Sequence, residues 1–251
     1  MDNKIMAEMI KKQQACFMSK NDKGEVIEVH LRPKAVEESL VGKLQNDDII
    51  KGRDIVSRMI TFNNIKVNLC TQCTNASCIN HGKGLRSLPT GSIDSKVMFI
   101  NKQPTEYEAA QGTCCCDRNG LFISLILDKI NVSRDSIYFT DMIKCTGQLD
   151  ESSFNTCVNE YLKSEIALVN PKLLICNSLA VLKACVARNL IKNLPSNLSY
   201  GNIYNAELFN GQLVKVVAIY DLDIVLQKTG DDYNKCKNDL WLQILNAFKA
   251  L

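Results

Sequence analysis

The chain has no apolar run long enough to cross a membrane. Its longest, such as Leu121–Leu127, fall far short of the roughly 20 residues a spanning helix needs. It also lacks an N-terminal charged, then apolar, then small-residue pattern of the kind that directs export. The two absences predict a protein that stays where it is made, in the cytoplasm or on the nucleoid, with no membrane partner. No run of five or more basic residues occurs, and the net charge is only +3. Such a balance permits nucleic-acid binding without demanding it, because a local basic face matters more than the total. No internal repeat or low-complexity tract is present either, which excludes a solenoid or a fibrous array.

Cysteine is abundant, with 12 in 251 residues, against an otherwise ordinary background of 46% hydrophobic and 23% charged residues. In a long chain without an export pattern, thiols read as core residues, metal ligands or reactive groups rather than as a disulfide framework. Cys16, Cys176, Cys185 and Cys236 stand in apolar or helical surroundings and read as core. The cluster at Cys70 differs, since Cys70-x-x-Cys73 brings two thiolates within reach of one metal. Continued through Cys78 and His81, the spacing Cys-x2-Cys-x4-Cys-x2-His is also knuckle-like and suits zinc.

Residues 1–65 read as a mainly helical N-terminal extension without recognisable chemistry, whose simplest role is a packing or partner surface. Ile5, Met6, Met9 and Ile10 recur at helical spacing, Asn21–Gly24 breaks the pattern, and Val26–Leu31 alternates as a strand would. Helical patterns follow through Val36, Leu40 and Leu44, and again from Ile49 to Ile60. From residue 66 to 251 strands alternate with helices. The runs at Val97–Ile100, Ser136–Ile143, Leu173–Cys176 and Leu213–Ile219 predict four strands, with helices over Gly120–Ile130, Phe154–Leu168, Ser178–Leu190 and Asn234–Leu251. This order predicts an α/β domain, a three-layer α/β/α sandwich around a central mostly parallel four-stranded sheet. Ligands of such sheets bind at the carboxyl ends of the strands, so the loops after Ile100, Ile143 and Ile219 become the candidate site.

Three segments carry a resemblance to a known family. The first is Cys70-Thr-Gln-Cys73 followed by Leu88-Pro-Thr-Gly91 and the strand that runs into Asn101-Lys102-Gln103-Pro104. The second is Gly112–Gly120 with Tyr138-Phe-Thr-Asp-Met-Ile-Lys-Cys145, and Cys157 on the next helix. The third is Asn170-Pro-Lys-Leu-Leu-Ile-Cys-Asn-Ser-Leu-Ala180. In order and spacing these resemble the iron–sulfur, family 4 members of the uracil-DNA glycosylase superfamily: their paired cysteines and Val-Pro-Gly turn, their Gly-Glu-Ala-Pro-Gly loop, their Gly-x-Pro-Phe-Val-Gly loop, and their Thr-Asn-Val-Val-Lys-Cys and Pro-Lys-x-Ile strands. The likeness covers roughly residues 66–250. It implies a 4Fe-4S cluster held by Cys70, Cys73, Cys145 and Cys157, with DNA as the partner. The gap from Cys145 to Cys157 is shorter than the family's, and zinc on Cys70, Cys73, Cys78 and His81 remains the alternative.

The resemblance also assigns roles in a base-flipping pocket, and this sequence departs from each. The water-activating acid falls on Lys102, beside Gln103 and Pro104, and an ammonium is a poor base that repels a cationic sugar. Glu106 and Glu108 stand nearby as substitutes or as solvated carboxylates. The aromatic platform falls on Cys114-Cys115-Cys116, where no ring can stack and where neighbouring thiols are expected to point in different directions. The base-reading asparagine becomes Asp141, which when ionised only accepts hydrogen bonds, unless it caps a loop or pairs with Lys102 or Lys144. The His-Pro motif becomes Tyr220-Asp221. Pro104, Lys144 and Asp221 complete the expected DNA-facing set. The pattern implies a DNA-binding scaffold that has lost uracil excision and serves replication, repair or transcription, in a host cytoplasm if the genome is viral, with a complex formed through the extension. The alternative is an active glycosylase for uracil or another modified base.

Overall fold

The computed structural model describes residues 19–20, 26–27, 52–68, 70–73, 86–148 and 150–251. The helix expected around Ile5–Ile10, the helical pattern over Val36–Leu44, Cys16, Cys78 and His81 lie outside these residues. Near the N-terminus, β1 (Ser19–Lys20) and β2 (Val26–Ile27) pair antiparallel. Helix α1 (Gly52–Asn68) follows and runs on past residue 65. Ile60, Asn63 and Val67, spaced 3 and 4 apart, are its buried face, and the Asn63 amide donates to the Glu165 carboxylate at 3.3 Å.

The main domain contains β3 (Val97–Asn101), β4 (Ile137–Asp141), β5 (Leu173–Asn177), β6 (Ile191–Lys192), β7 (Ile203–Leu208) and β8 (Leu213–Ile219). The helices between and after them are α2 (Glu106–Gln111), α3 (Arg118–Lys129), α4 (Glu151–Cys157), α5 (Lys163–Val169), α6 (Leu179–Ala187), α7 (Leu222–Gln227) and α8 (Gly230–Lys249). The order across the sheet is β4-β3-β5-β8-β7-β6, with β3, β4, β5 and β8 parallel. These are the four strands expected from the apolar runs. β3, β4 and β5 are buried at every position, as strands covered on both faces must be.

The sheet has six strands rather than four. β7 pairs antiparallel with β8 and β6 with β7. β7 is only partly buried and carries no clean apolar alternation, so periodicity does not reveal it. Its signal lies in the turn, where Asn210-Gly211 joins β7 to β8, with Gly211 at φ 85°.

Alternate residues of each strand feed two cores. Met98, Ile100, Tyr138, Leu174, Cys176, Val216 and Ala218 pack under α5 and α6 and against Ile60 of α1. Val97, Phe99, Ile137, Phe139, Leu173, Ile175, Val217 and Ile219 pack under α3, α7 and α8. The result is the expected three-layer α/β/α sandwich. Between α4 and α5, residues Val158–Leu162 form one π-helical turn, a widening that occurs often beside functional sites.

Candidate functional site

Cys70 and Cys73 follow the end of α1, Cys145 follows β4, and Cys157 ends α4. The fold brings Cys70, Cys73 and Cys157 into one small cluster with Val67, Ile143 and Tyr161, separate from both cores; Cys145 lies close enough for their charges to raise its pKa, and all four cysteines are buried without disulfides. Local bonds hold the approach. The Cys70 N–H closes on the Val67 carbonyl at 3.2 Å, Arg86 bridges to Cys145 through its backbone, and its guanidinium donates to the Cys70 carbonyl. The Tyr161 hydroxyl, on the π turn, donates to the Lys66 carbonyl at 3.4 Å. Burial pushes the Cys145 thiol up to about 12; Cys157, Cys73 and Cys70 add to the rise, and the Arg86 charge opposes it. Burial likewise raises Cys157 to about 11, against the Lys144 backbone and charge. The thiols therefore sense one another, in a largely apolar nest whose donor set fits a thiolate-bound inorganic centre.

A second assembly lies at the carboxyl ends of the strands. Asn101 ends β3 and Asp141 ends β4, and the two are register partners. The Asn101 amide donates to Cys115 Sγ at 2.9 Å, and its oxygen accepts from the Asn177 amide at 3.0 Å at the end of β5. Asn177 in turn accepts the Leu222 N–H at 3.1 Å, at the start of α7. Two strand ends and the start of α7 are thus joined by side-chain amides. Asp141 is fully buried and accepts from the Ser87 hydroxyl; burial raises its pKa, opposed by that bond and by the Lys144 charge.

Glu108 lies beside this chain of bonds. It belongs to the capping box of α2, where its carboxylate takes the Thr105 N–H at 2.8 Å, and it also accepts the Cys115 N–H at 2.5 Å. Burial, then the charges of Asp141 and Asp117, raise its pKa to about 7 against the Thr105 bonds. Cys115 adopts φ 55°, and its carbonyl is clamped between Gly120 and the Arg134 guanidinium, which donates to it at 2.5 Å.

The other expected site residues are distributed unevenly. Lys102 is exposed, and its charge lies close enough to Asp221 to lower a pKa that burial raises. Gln103 is half-buried, with Oε1 lacking a partner among the described residues. Glu106 sits exposed on the first turn of α2, whereas its neighbour Glu108 is the buried carboxylate. Tyr220 is half-buried and meets Tyr200 edge-on, ring centroids 4.9 Å apart.

Three of the residues expected to face DNA are occupied otherwise. Pro104 is buried. Asp221 caps α7 by accepting the Asp223 N–H at 3.0 Å. Lys144 is buried with its ammonium on Glu165 at 2.8 Å and on the Thr140 hydroxyl at 2.6 Å, so it pairs with neither Asp141 nor a phosphate. The expectation that adjacent cysteines diverge fails for Cys114 and Cys115. The positive φ of Cys115 folds the pair back, so that both sulfurs and a Glu108 oxygen lie within 4.8 Å of one another. Asn101 and Asn177 escaped the reading of the sequence, although each closes an apolar run with a polar residue at the same end of neighbouring strands.

A family model described as the uracil DNA glycosylase superfamily matches residues 88–245, more than half of the chain. The chain is also similar to a type-4 uracil-DNA glycosylase of Thermotoga maritima, 21% identical over 116 residues that make up 44% of this chain and 57% of that protein. It therefore spans less than two thirds of that relative's length.

Proposed function

The chain belongs to the uracil DNA glycosylase superfamily, and on that premise we propose that it is a DNA-binding protein that carries a 4Fe-4S cluster and has lost uracil excision. The observation that supports the cluster is that Cys70, Cys73 and Cys157, far apart in sequence, share one buried apolar nest, with buried Cys145 close enough for their charges to act on it. These four residues would supply the thiolates that hold the cluster. Its contribution is structural: it ties the segment after α1 to the end of β4 and to α4, beside the loops at the carboxyl end of the sheet.

The loss of excision is supported by the pocket's own residues. A base must be read, stacked and attacked by an activated water for excision to proceed. Lys102 stands where the activating acid is expected; of the two carboxylates nearby, Glu106 faces solvent and Glu108 is buried, bonded to Thr105 and to the Cys115 N–H. The thiols of Cys114 and Cys115 turn inward and present no ring. Asp141 offers an acceptor where a donor is also needed to match uracil. A role as an accessory component in replication, repair or transcription, with the residues before α1 as partner surface, follows from a scaffold that binds DNA without cutting it.

The test is direct. Protein purified without oxygen is expected to be brown, to contain about four irons per chain, to bind DNA with an affinity that falls as salt rises, and to leave uracil-containing oligonucleotides intact. Iron-free protein that binds zinc through Cys78 and His81 overturns the cluster; alkali-labile sites at uracil overturn the loss of excision.

A further inference from the structure

We propose a second metal site, independent of the iron–sulfur reading, in which a thiophilic divalent cation such as zinc is held by the Cys114 and Cys115 thiolates and the Glu108 carboxylate, with the Asp141 carboxyl alongside as a further negative charge. The three nearest donor atoms lie within 4.8 Å of one another, and the residues are buried to 0%, 2% and 3% exposure. Two thiolates with carboxylate oxygens form a donor set that suits zinc in tetrahedral coordination.

The geometry is prepared on every side. Cys115 is held at φ 55° by Arg134 on its carbonyl and by Gly120 packed against it, and this conformation brings its sulfur beside that of Cys114. Glu108 is held by Thr105, whose N–H and hydroxyl both bond Oε2, while Oε1 receives, among the described residues, the Cys115 N–H alone. A carboxylate oxygen has two acceptor positions, so Oε1 retains one for a cation. The Asn101 amide donates to Cys115 Sγ at 2.9 Å and approaches Cys114 Sγ at 3.8 Å, the support from outside that metal-bound thiolates receive.

A separate observation points to the ligand's charge. Asp141 is 1% exposed and lies alongside Cys114, whose thiol helps to lower a pKa that burial raises, yet no donor meets its buried Oδ1 in good hydrogen-bond geometry among the described residues. Buried carboxyl oxygens are otherwise bonded, and a buried charge is ordinarily paired or bound to a metal. Among the described residues no lysine or arginine forms an ion pair with Glu108 or Asp141. A divalent cation satisfies both carboxylates at once, and its binding releases the two thiol protons to solvent. Bound there, it fastens the 112–120 loop to the ends of β3 and β4.

The full-length protein, purified under reducing and anaerobic conditions and equilibrated with zinc, is expected to retain about one zinc per chain in addition to any iron. Cobalt in place of zinc is expected to give a thiolate-to-metal charge-transfer absorption. Cys115→Ser and the double Cys114→Ser, Cys115→Ser variant should lose the zinc and this absorption while the iron content is unchanged. Asn101→Ala keeps all ligands and should weaken zinc about 10–100-fold; circular dichroism on each variant shows that it is folded. Wild-type protein that takes up no zinc, or zinc retained in full by the folded Cys115→Ser and Asn101→Ala variants, overturns the site. Because iron is counted separately, loss of the cluster in Cys145→Ser leaves this result readable.

Discussion

The Lys144 ammonium lies 2.8 Å from the Glu165 carboxylate, and both side chains are closed off from solvent at 1% and 0% exposure. The pair also binds the Thr140 hydroxyl and, through Glu165, the Asn63 amide of α1, so one ionic centre joins β4, α5 and the helix that leads to Cys70. Taking two charges out of water is costly, and such a pair survives only because every remaining donor and acceptor is bonded.

Removing one member strands the other. Lys144→Met is expected to destabilise the fold by about 3–5 kcal/mol, because Glu165 then keeps a buried charge without a counter-ion. The double Lys144→Met, Glu165→Leu variant should recover much of that loss. Chemical denaturation of the three proteins checks this, and equal losses in the single and double variants would refute it.

Gly120 has no room for a side chain. A Cβ there would sit 1.8 Å from the Cys115 carbonyl oxygen, a backbone atom that cannot swing aside. Gly120→Ala should therefore cost at least the 1–3 kcal/mol typical of overpacking, and lower Tm by about 2–4 °C for each kcal/mol. Zinc uptake at Cys114 and Cys115 should fall with it. Thermal melts together with metal analysis measure both effects; an unchanged Tm would show that the loop is not clamped as described.

Replacing any one of Cys70, Cys73, Cys145 or Cys157 by serine should abolish or bleach the iron chromophore. Cys176→Ser should not, because that thiol lies in the core beside Cys185, outside the group that holds Cys70, Cys73 and Cys157. Visible absorption with iron content decides the matter, and a variant of the first four that keeps full colour removes that residue from the ligand set.

On the proposed loss of excision, Asp141→Asn should leave uracil-containing DNA intact. The substitution returns a donor to the base-reading position, yet Lys102 still stands where the activating acid is expected and Tyr220 where a histidine is. Cleavage of uracil-containing oligonucleotides after alkali is the assay. Activity gained by this one change would mean that the water is activated by a group other than those named.

The cysteine motifs and the parallel strands were legible in the sequence for the same reason: each is written into a short window. Continuous apolar runs mark strands buried on both faces, as at Val97–Ile100 and Leu173–Cys176, and ordered motifs carry the positions of Cys70, Cys73, Cys145 and Cys157. β7 was not legible, because an only partly covered strand needs no strict alternation.

By itself, the sequence determined the alternation of strands and helices, the two-faced core and the departures at Lys102, Asp141 and Tyr220. Only the tertiary structure decided which groups those residues meet. Lys144 went to Glu165 rather than to DNA, Glu108 rather than Glu106 went inside, and Cys114 and Cys115 converged instead of diverging. Hydrophobic burial is a local and periodic demand that a chain states residue by residue. The partner of a buried polar group depends on which strand ends lie side by side, and that is settled only when the sheet sets its register.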